Sequence, residues 1–401
     1  MNAVLPPDEA LPLCRDLFNR LQNSESGKHM STCGSERMVG ILLCTDGTVL
    51  KAVSGKYDEV FSREGFVEPA YDVEAYGRVL EKYDYLIKNP GRGESSRDVS
   101  RRCWEELKQL YTFTCFDGKK RKLSDIYPSA PSGTGDCCAP KLLNACYSRS
   151  LKPLSMAEFY YDGKSSEPVF YEPCDSRCKG LLKHIIGFDL VYCDKFIAVV
   201  NKACGMLSIE GRGEDKQDCV ASRVRSFFPW CIKQPCVHRL DQATSGLMVL
   251  GLTEESHRFL SREFEERRVE KSYEAVVCGR VDSRDGVIDL PIRLDTENRP
   301  CQVVDYENGK RAVTRFERIR TDRQGSVTCT RLLLIPETGR THQLRVHCAF
   351  GLGHPIAGDR LYGGLDMFEN PPSRLLLQAR SLSFNHPATG ERMSFTLERD
   401  F

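Results

Sequence analysis

The sequence predicts an α+β protein of two domains, residues 1–185 and 186–401. A length of 401 residues exceeds what one ordinary hydrophobic core organises. The first part of the chain mixes hairpin signals with helical patterns, whereas short strands alternate with turns after residue 185 and helices become few. Because the pattern changes there, we place the domain boundary between about residues 180 and 190.

Composition indicates a globular protein and excludes several other classes. Hydrophobic residues make up 40% of the chain and charged residues 28%, which is typical of a packed domain and not of a disordered or fibrous chain. The longest apolar runs are only a few residues, so we expect no membrane span. Nineteen cysteines, an odd number without a secretory signal, favour reduced thiols in the cytoplasm over a disulfide scaffold.

The net charge of +1 does not by itself indicate a nucleic-acid partner. The kind of basic residue is more informative, because 25 of the 32 basic side chains in residues 181–401 are Arg. Arg presents a planar guanidinium that pairs with phosphate oxygens and stacks on bases. Surface ion pairing with the 30 acidic residues of the same segment is the alternative interpretation.

In the first domain the periodicity of apolar residues predicts several elements. Asp46-Gly47 and Asp117-Gly118 each mark the turn of a hairpin, and the second hairpin ends in the basic run 119–122, which we interpret as a solvated tip. A short amphipathic segment is predicted at residues 11–21 and a helix at residues 73–87. After a loop at residues 89–93, a further helix begins at Ser96 and places Cys103, Leu107, Leu110 and Tyr111 on one face.

Two close pairs of cysteines raise the question of a metal site. The first pair lies in Gly133-Thr134-Gly135-Asp136-Cys137-Cys138-Ala139-Pro140-Lys141 and the second in Glu172-Pro173-Cys174-Asp175-Ser176-Arg177-Cys178. The pattern faintly resembles that of zinc deaminases, which carry Cys or His, Ala, Glu and later Pro-Cys-x-x-Cys. Pro140 stands where the Glu is expected, and the second pair has one residue too many. We therefore favour buried thiols, and a zinc site at Cys137, Cys138, Cys174 and Cys178 remains the alternative.

The second domain contains most of the predicted strands. Helix 254–268 places Leu260 and Phe264 four residues apart, and Asn308-Gly309 marks a hairpin. Residues 192–202 are predicted to form a turn and then a strand, and further predicted strands cover residues 247–250, 271–279, 311–318 and 328–334.

One stretch of this domain is long and ordered enough to be diagnostic, and it reads Val237-His238-Arg239-Leu240-Asp241-Gln242-Ala243-Thr244-Ser245-Gly246. The buried strand 247–250 follows it, so Asp241 is expected on a loop that leads into a rigid sheet. A side chain in such a place is held still for chemistry.

This stretch resembles the His-Arg-Leu-Asp-x-x-Thr-Ser-Gly signature of the RluA family of pseudouridine synthases, whose Asp is catalytic. Two further segments, 338–347 (TGRTHQLRVH) and 354–363 (HPIAGDRLYG), also resemble the family. The resemblance covers about residues 190–401. It departs from the family at Ala203, where Pro is usual, and at Gln378, where His is usual.

The resemblance implies an α+β catalytic domain whose twisted, mostly antiparallel sheet is crossed by an RNA-binding cleft. It implies an RNA pseudouridine synthase that acts on one uridine in rRNA or tRNA and needs no cofactor and no metal. Asp241 would be the catalytic carboxylate, Arg345 the cation that keeps it ionised, and Tyr273 the aromatic ring against the uracil. The residues expected to contact RNA are Arg239, His238, Arg340, His342 and Gln343.

Some alternatives stay open from the sequence. His238 is more typical of a hydrogen-bonding residue that fixes a loop than of an acid or base. If residues 342–347 form a strand, His342 and His347 point to opposite faces and do not share a metal. A catalytically idle RNA-binding or assembly factor is the rival function. We expect a cytoplasmic monomer without an obligatory protein partner, and no role is assigned to residues 1–185.

Overall fold

We describe the chain from a computed structural model. It describes residues 4–32, 37–55, 57–88, 95–172, 174, 177–324, 327–365 and 368–401. The loop predicted at residues 89–93 and the positions Pro173, Asp175 and Ser176 of the second cysteine motif lie outside these residues. The chain divides into two compact units, the first formed by Met1–Lys195 with Val224–Cys231 and the second by Phe196–Arg223 with Ile232–Phe401.

The first unit combines helices with short strands. Its helices are α1 (Ala10–Leu21), α2 (Glu25–Thr32), α3 (Glu59–Arg63), α4 (Val73–Lys88), α5 (Ser96–Lys108), α6 (Leu123–Ile126), α7 (Cys138–Ser148) and α8 (Lys179–Ile186). Its strands are β1 (Arg37–Cys44), β2 (Val49–Val53), β3 (Thr112–Thr114), β4 (Lys120–Lys122), β5 (Pro153–Tyr161), β6 (Val169–Tyr171) and β7 (Asp189–Cys193).

The main sheet of this unit is antiparallel, in the order β2-β1-β5-β6. Side chains alternate between its two faces, as the pleat of a strand requires. On one face Ile41 and Phe159 pack against Phe18 of α1 in a buried apolar cluster. Helix α7 covers the other face, where the lack of a side chain at Gly40 leaves room for Cys138. Each fully buried Ile or Phe side chain stabilises such a core by about 1.5–3 kcal/mol.

Local signals predicted most elements of the first unit correctly. Both hairpins form, since β1 pairs with β2 across Asp46-Gly47 and β3 pairs with β4 across Asp117-Gly118. Helix α5 begins after Ser95, whose hydroxyl accepts the backbone N–H of Asp98, as expected of an N-cap residue. The predicted helical face extended too far, because α5 ends at Lys108 and Tyr111 lies beyond it.

The second unit contains most of the strands of the chain. The strands are β8 (Ile197–Lys202), β9 (Ser245–Gly251), β10 (Glu270–Cys278), β11 (Asp285–Asp289), β12 (Ile292–Leu294), β13 (Gln302–Val304), β14 (Val313–Gln324), β15 (Val327–Pro336), β16 (Leu377–Asn385) and β17 (Arg392–Thr396). The helices are α10 (Glu254–Glu265) and α11 (Gln343–Val346), while α9 (Val220–Phe227) has residues in both units.

Within the second unit one sheet runs in the order β11-β14-β15-β10-β16-β9-β8, and β17 pairs with β16. All of its pairings are antiparallel except that of β16 with β9, which confirms the predicted α+β class with a mostly antiparallel, mixed sheet. The core on one face is built from buried residues such as Val277, Leu334 and Leu344, and Tyr273 of β10 packs against it. The sheet therefore anchors Tyr273 at its backbone and along its ring.

The hairpin predicted at Asn308-Gly309 is wrong. The two residues do form a turn, in which the Gly309 N–H donates to the Asp305 carbonyl and the Asn308 N–H to the Asp305 side chain. The strands on either side pair elsewhere, β13 with β12 and β14 with β11 and β15. A turn signal identifies where a chain bends, whereas tertiary packing decides which strands pair.

Candidate active site

The loop that carries Asp241 is fastened from both sides. On its N-terminal side the Leu240 N–H donates to the Ser208 hydroxyl over 3.1 Å, and that hydroxyl donates to the Leu240 carbonyl over 2.8 Å. On its C-terminal side the Thr244 N–H donates to the Asp241 carbonyl over 3.0 Å, which closes a turn directly before β9. Leu240 is buried and Asp241 is half-buried, so the loop backbone is held while part of Asp241 stays accessible.

Lys202, at the end of β8, supports this loop from beneath. Its buried ammonium donates to the carbonyls of Ala203, Met206 and Gln242 over 2.8–3.0 Å. Burial lowers the pKa of Lys202 to about 8, although the Asp241 charge opposes this shift. The ammonium thereby joins the turn after β8 to the residue that follows Asp241. No role was assigned to Lys202 from the sequence. The sequence feature that indicates its buried position is a lysine at the end of an otherwise apolar strand.

Four side chains surround the Asp241 carboxylate closely enough to interact with its charge, and they come from distant parts of the chain. They are Lys202, Tyr273, His342 and Arg345. Burial, and next the Asp241 charge, raise the pKa of the Tyr273 phenol well above its ordinary value, so this group stays protonated. The structure thus brings the three predicted catalytic residues, Asp241, Tyr273 and Arg345, to one place.

Arg345 is held by an acid that is not Asp241. Its Nε and one terminal nitrogen donate to the two carboxylate oxygens of buried Asp359 over 2.8 and 2.7 Å. This planar two-bond pairing orients the guanidinium, whose carbon also lies 5.1 Å from the centre of the Tyr362 ring. Arg345 therefore acts on Asp241 through its charge while Asp359 sets its position.

Tyr362 and Phe350 extend the site with aromatic surface. The Tyr362 hydroxyl lies 2.7 Å from Nδ1 of His342 and accepts the backbone N–H of Gln302 over 2.8 Å. Phe350 packs edge-on against Tyr362, with ring centres 6.2 Å apart, and is 61% exposed. Phe350 belongs to a π-helical turn, His347–Gly351, and such wide turns are frequent at functional sites. Tyr362 lies within the segment 354–363 that resembles the family, but its sequence position does not indicate a role.

The segment after residue 341 is helical, so the strand considered for residues 342–347 is wrong. Helix α11 covers Gln343–Val346, and His342 precedes it with a left-handed backbone. His347 still points away from His342, because its ring contacts the Thr314 hydroxyl at 2.9 Å and the Leu290 carbonyl at 3.3 Å in the core. The conclusion that His342 and His347 do not share a metal therefore stands, but the strand geometry from which it was argued does not exist.

His238 fixes the loop. Its Nε2 accepts the Val249 N–H over 3.1 Å, and its ring stacks on Phe264 with centres 4.4 Å apart. Burial, followed by the nearby charge of Lys271, lowers the pKa of His238 to about 3, so the imidazole is neutral at physiological pH. These contacts fit the loop-fixing interpretation better than RNA contact.

The remaining predicted RNA contacts divide by exposure. Arg239 and Arg340 are exposed, and Arg239 is within electrostatic range of His342. Gln343 is buried: its amide nitrogen donates to Val313 and Thr314, and its oxygen accepts from Thr338 and Arg340. The prediction that Gln343 contacts RNA is therefore wrong, because every polar atom of its side chain already has a partner within the protein.

The described residues do not present a preassembled metal site. No group of three or more His, Cys, Asp or Glu side chains among them is spaced to hold a metal ion as it stands. Of the predicted cysteine set, Cys138 points elsewhere, since its thiol donates to the Met38 and Ala52 carbonyls over 3.3 and 3.6 Å. In the described part of the chain, no helix is both long and apolar enough to cross a membrane.

Comparison with known proteins gives one consistent result. Residues 196–350 match the family model described as RNA pseudouridylate synthase. The protein named "Dual-specificity RNA pseudouridine synthase RluA" from Haemophilus influenzae is 44% identical over 213 residues, which are 53% of this chain and 94% of that protein. Its namesake from Yersinia pestis is 45% identical over 212 residues, 53% of this chain and 99% of that protein.

Among solved structures, "Human RNA Pseudouridylate Synthase Domain Containing 1" is 31% identical. It covers 52% of this chain and 82% of its own, with a TM-score of 0.45.

Proposed function

This chain belongs to the RluA family of RNA pseudouridine synthases, and from that premise we propose that it isomerises a specific uridine in rRNA or tRNA with Asp241 as the catalytic carboxylate. The proposal rests on one observation. Tyr273 and Arg345 lie close enough to the half-buried Asp241 to interact with its charge, although each is more than 30 residues away from it along the chain. Binding alone has no use for such a carboxylate, which weighs against an idle RNA-binding factor.

The reaction makes modest chemical demands. The N-glycosidic bond of uridine breaks, the freed base turns, and the base is rejoined to the sugar through carbon. No electrons and no groups enter or leave, so the overall conversion requires no redox cofactor. It does require a carboxylate beside the ribose and a pocket that retains the detached base.

Asp241 would supply that carboxylate, either by attacking the sugar at C1′ or by assisting loss of the C2′ proton. Both roles need the negative charge of the carboxylate, which nearby positive charges stabilise by Coulomb attraction. Arg345, oriented by Asp359, and the ammonium of Lys202 provide the positive charges. The anchored loop keeps the carboxylate in one position, which lowers the entropic cost of reaching the transition state.

Tyr273 would pack against the target uracil. Stacking of a base on an aromatic side chain is worth about 1–3 kcal/mol, which offsets part of the cost of turning a uridine out of its stack. Arg239 and Arg340 would contact the RNA around the extruded nucleotide, because both are exposed. We propose that the enzyme acts on RNA as a monomer in the cytoplasm and needs no other protein.

The assignment is tested by incubating the purified chain with transcripts of rRNA segments and of tRNA stem-loops and mapping pseudouridine at single-nucleotide resolution. We expect conversion at one defined uridine in at least one RNA class. The matched control is an RNA in which cytidine replaces the modified uridine. Tight RNA binding without any pseudouridine in either class would favour the idle binding factor and overturn the proposal.

The pH dependence of the reaction should report the charge of Lys202. Because its pKa is about 8, the ammonium is present below that pH and is lost above it, together with one of its donors and its attraction for Asp241. We therefore expect kcat/KM to fall as the pH rises through about 8. The measurement is a pH profile of single-turnover rates.

Lys202→Arg should move this basic limb to higher pH, since a guanidinium stays protonated. Lys271→Arg is the control, because burial lowers the pKa of Lys271 too but that side chain makes no contact with the carbonyls under the Asp241 loop among the described residues. An identical basic limb in the wild type and in Lys202→Arg would show that another group titrates.

A further inference from the structure

We propose that the first unit carries a binding site for a thiophilic divalent cation such as zinc, formed by Cys137, Cys174 and Cys178 beside the carboxylate of Glu158. The site lies entirely within the first unit and does not depend on the proposed function of the second. It differs from the four-cysteine set suggested by the sequence, because Cys138 is not a ligand and the carboxylate of Glu158 lies beside the three thiols.

Two of the three sulphur atoms are already together. The thiols of Cys137 and Cys178 share a hydrogen bond, although 41 positions separate the residues. The backbone N–H groups of Gly135 and Cys137 also point at the Cys178 sulphur. N–H groups directed at a sulphur stabilise its thiolate, which is the form that binds a metal. Gly135 has a φ of 99°, a conformation that suits glycine and turns this loop toward Cys178.

The location of the pair favours negative charge. Cys137 is the N-cap residue of α7 and Cys178 that of α8, so the positive ends of two helices meet at the thiols. Cys174 lies one helical turn before Cys178 and is close enough for its charge to act on both Cys137 and Cys178. A metal would replace the Cys137–Cys178 hydrogen bond by metal–sulphur bonds and draw Cys174 in as the third ligand.

Glu158 is the independent observation that points to a ligand. It lies in the middle of β5 and is 4% exposed, and it faces α7 because its neighbours Ala157 and Phe159 face the opposite core. No described residue donates a hydrogen bond to its Oε1. Native proteins rarely leave a buried polar atom in this state, and bound water or an ion is the usual explanation.

The sheet leaves room for the Glu158 side chain on the face that α7 covers. Its partner across the sheet is Gly40, where an added Cβ would lie 3.3 Å from Cγ of Glu158 and 2.7 Å from Cβ of Cys138. The Ala139 N–H, in the first turn of α7, donates to the carboxylate.

The chemistry of this set is that of zinc. Thiolates select zinc among the common divalent cations, and three protein ligands leave a fourth tetrahedral position open to water. A carboxylate beside that position is the arrangement in which a zinc-bound water is activated. Zinc deaminases carry a Glu at the position of Pro140. In this chain Glu158 of strand β5 would supply that carboxylate instead.

Metal content of the full-length protein tests the site. We expect about one equivalent of zinc per chain after purification and desalting, or after loading with zinc alone, because structural thiolate sites bind zinc tightly. Cys137→Ser and Cys178→Ser should each lower the content at least tenfold. Cys44→Ser is the matched control, because Cys44 belongs to another buried thiol pair of the same unit, 3.9 Å from the sulphur of Cys146. Substoichiometric zinc after loading, or equal loss in the control, would overturn the proposal.

Thiol labelling of the wild-type protein keeps the test independent of how the variants fold. We expect an alkylating reagent to modify Cys137, Cys174 and Cys178 only after a chelator is added, with the sites identified by mass spectrometry. Loading with cobalt should add the absorption typical of thiolate-bound tetrahedral cobalt. Labelling that a chelator does not change, or a Cys137–Cys178 disulfide in protein without metal, would show a redox pair in place of a metal site.

Discussion

Asp241→Asn should reduce the rate of pseudouridine formation on the order of 10⁴-fold or more, the size of loss that follows removal of a catalytic group from an enzyme. The substitution keeps the shape of the side chain and removes its charge, so neither attack on the sugar nor proton removal remains possible. The contacts that hold the loop come from Leu240, Thr244 and the Gln242 carbonyl and are preserved. RNA affinity should therefore change only slightly.

The measurement pairs single-turnover kinetics with RNA binding on the same transcript. Asp282→Asn is the control, because Asp282 is an exposed carboxylate of the same unit that pairs with Arg280. We expect this variant to behave as the wild type. Retention of more than about a tenth of the wild-type rate by Asp241→Asn would remove Asp241 from the chemistry, since losses that small are typical of positioning residues and not of a catalytic group.

Glu274→Gln should lower the free energy of unfolding by about 3–5 kcal/mol, the cost of breaking a buried ion pair by removing one partner. Glu274 lies on β10 next to Tyr273 and is almost fully buried. Three guanidinium groups surround its carboxylate at 2.5–3.1 Å, and they belong to Arg331, Arg380 and Arg399. The variant leaves Arg331 buried without its counter-charge, which is the main source of the loss.

Urea denaturation followed by circular dichroism measures this effect. Asp322→Asn removes the partner of Arg320 in an exposed pair and should cost no more than about 1 kcal/mol. Because β10 also carries Tyr273, Glu274→Gln should weaken turnover at temperatures near its lowered midpoint. Equal stability of the two variants would mean that the Glu274 network contributes no more than a surface pair.

Much of the candidate site was visible in the sequence because it rests on short, ordered motifs. The strand after the Asp241 loop and strand β10 follow from local patterns that the fold preserves, whereas the resemblance to the RluA family identified Asp241 and the aromatic residue of β10. The predictions that failed depended on partners distant along the chain. Gln343 was assigned to RNA, yet its amide is satisfied by Val313 and Thr314, about 30 residues away. The hairpin at residues 308–309 failed for the same reason, because pairing is decided by the whole sheet.

In the first unit, too, the local motifs were visible in the sequence but the contacts between them were not. Its cysteine motifs were recognised, but the sequence could not identify which thiols meet, because Cys137 and Cys178 are joined only when α7 and α8 bring their N-termini together. Glu158 had no sequence signal, since a single Glu in a strand is ordinarily a solvated residue. Its burial opposite Gly40 is a property of the packed sheet.

The sequence alone determined the family, the reaction and the position of Asp241, because these are encoded in contiguous residues whose types the chemistry requires. The tertiary structure alone decided that Lys202 supports the Asp241 loop, that Asp359 orients Arg345 and that Glu158 lies beside the cysteines. The physical reason is that burial, hydrogen-bond satisfaction and charge proximity depend on distances in space, and distant segments of the chain set these only when they pack.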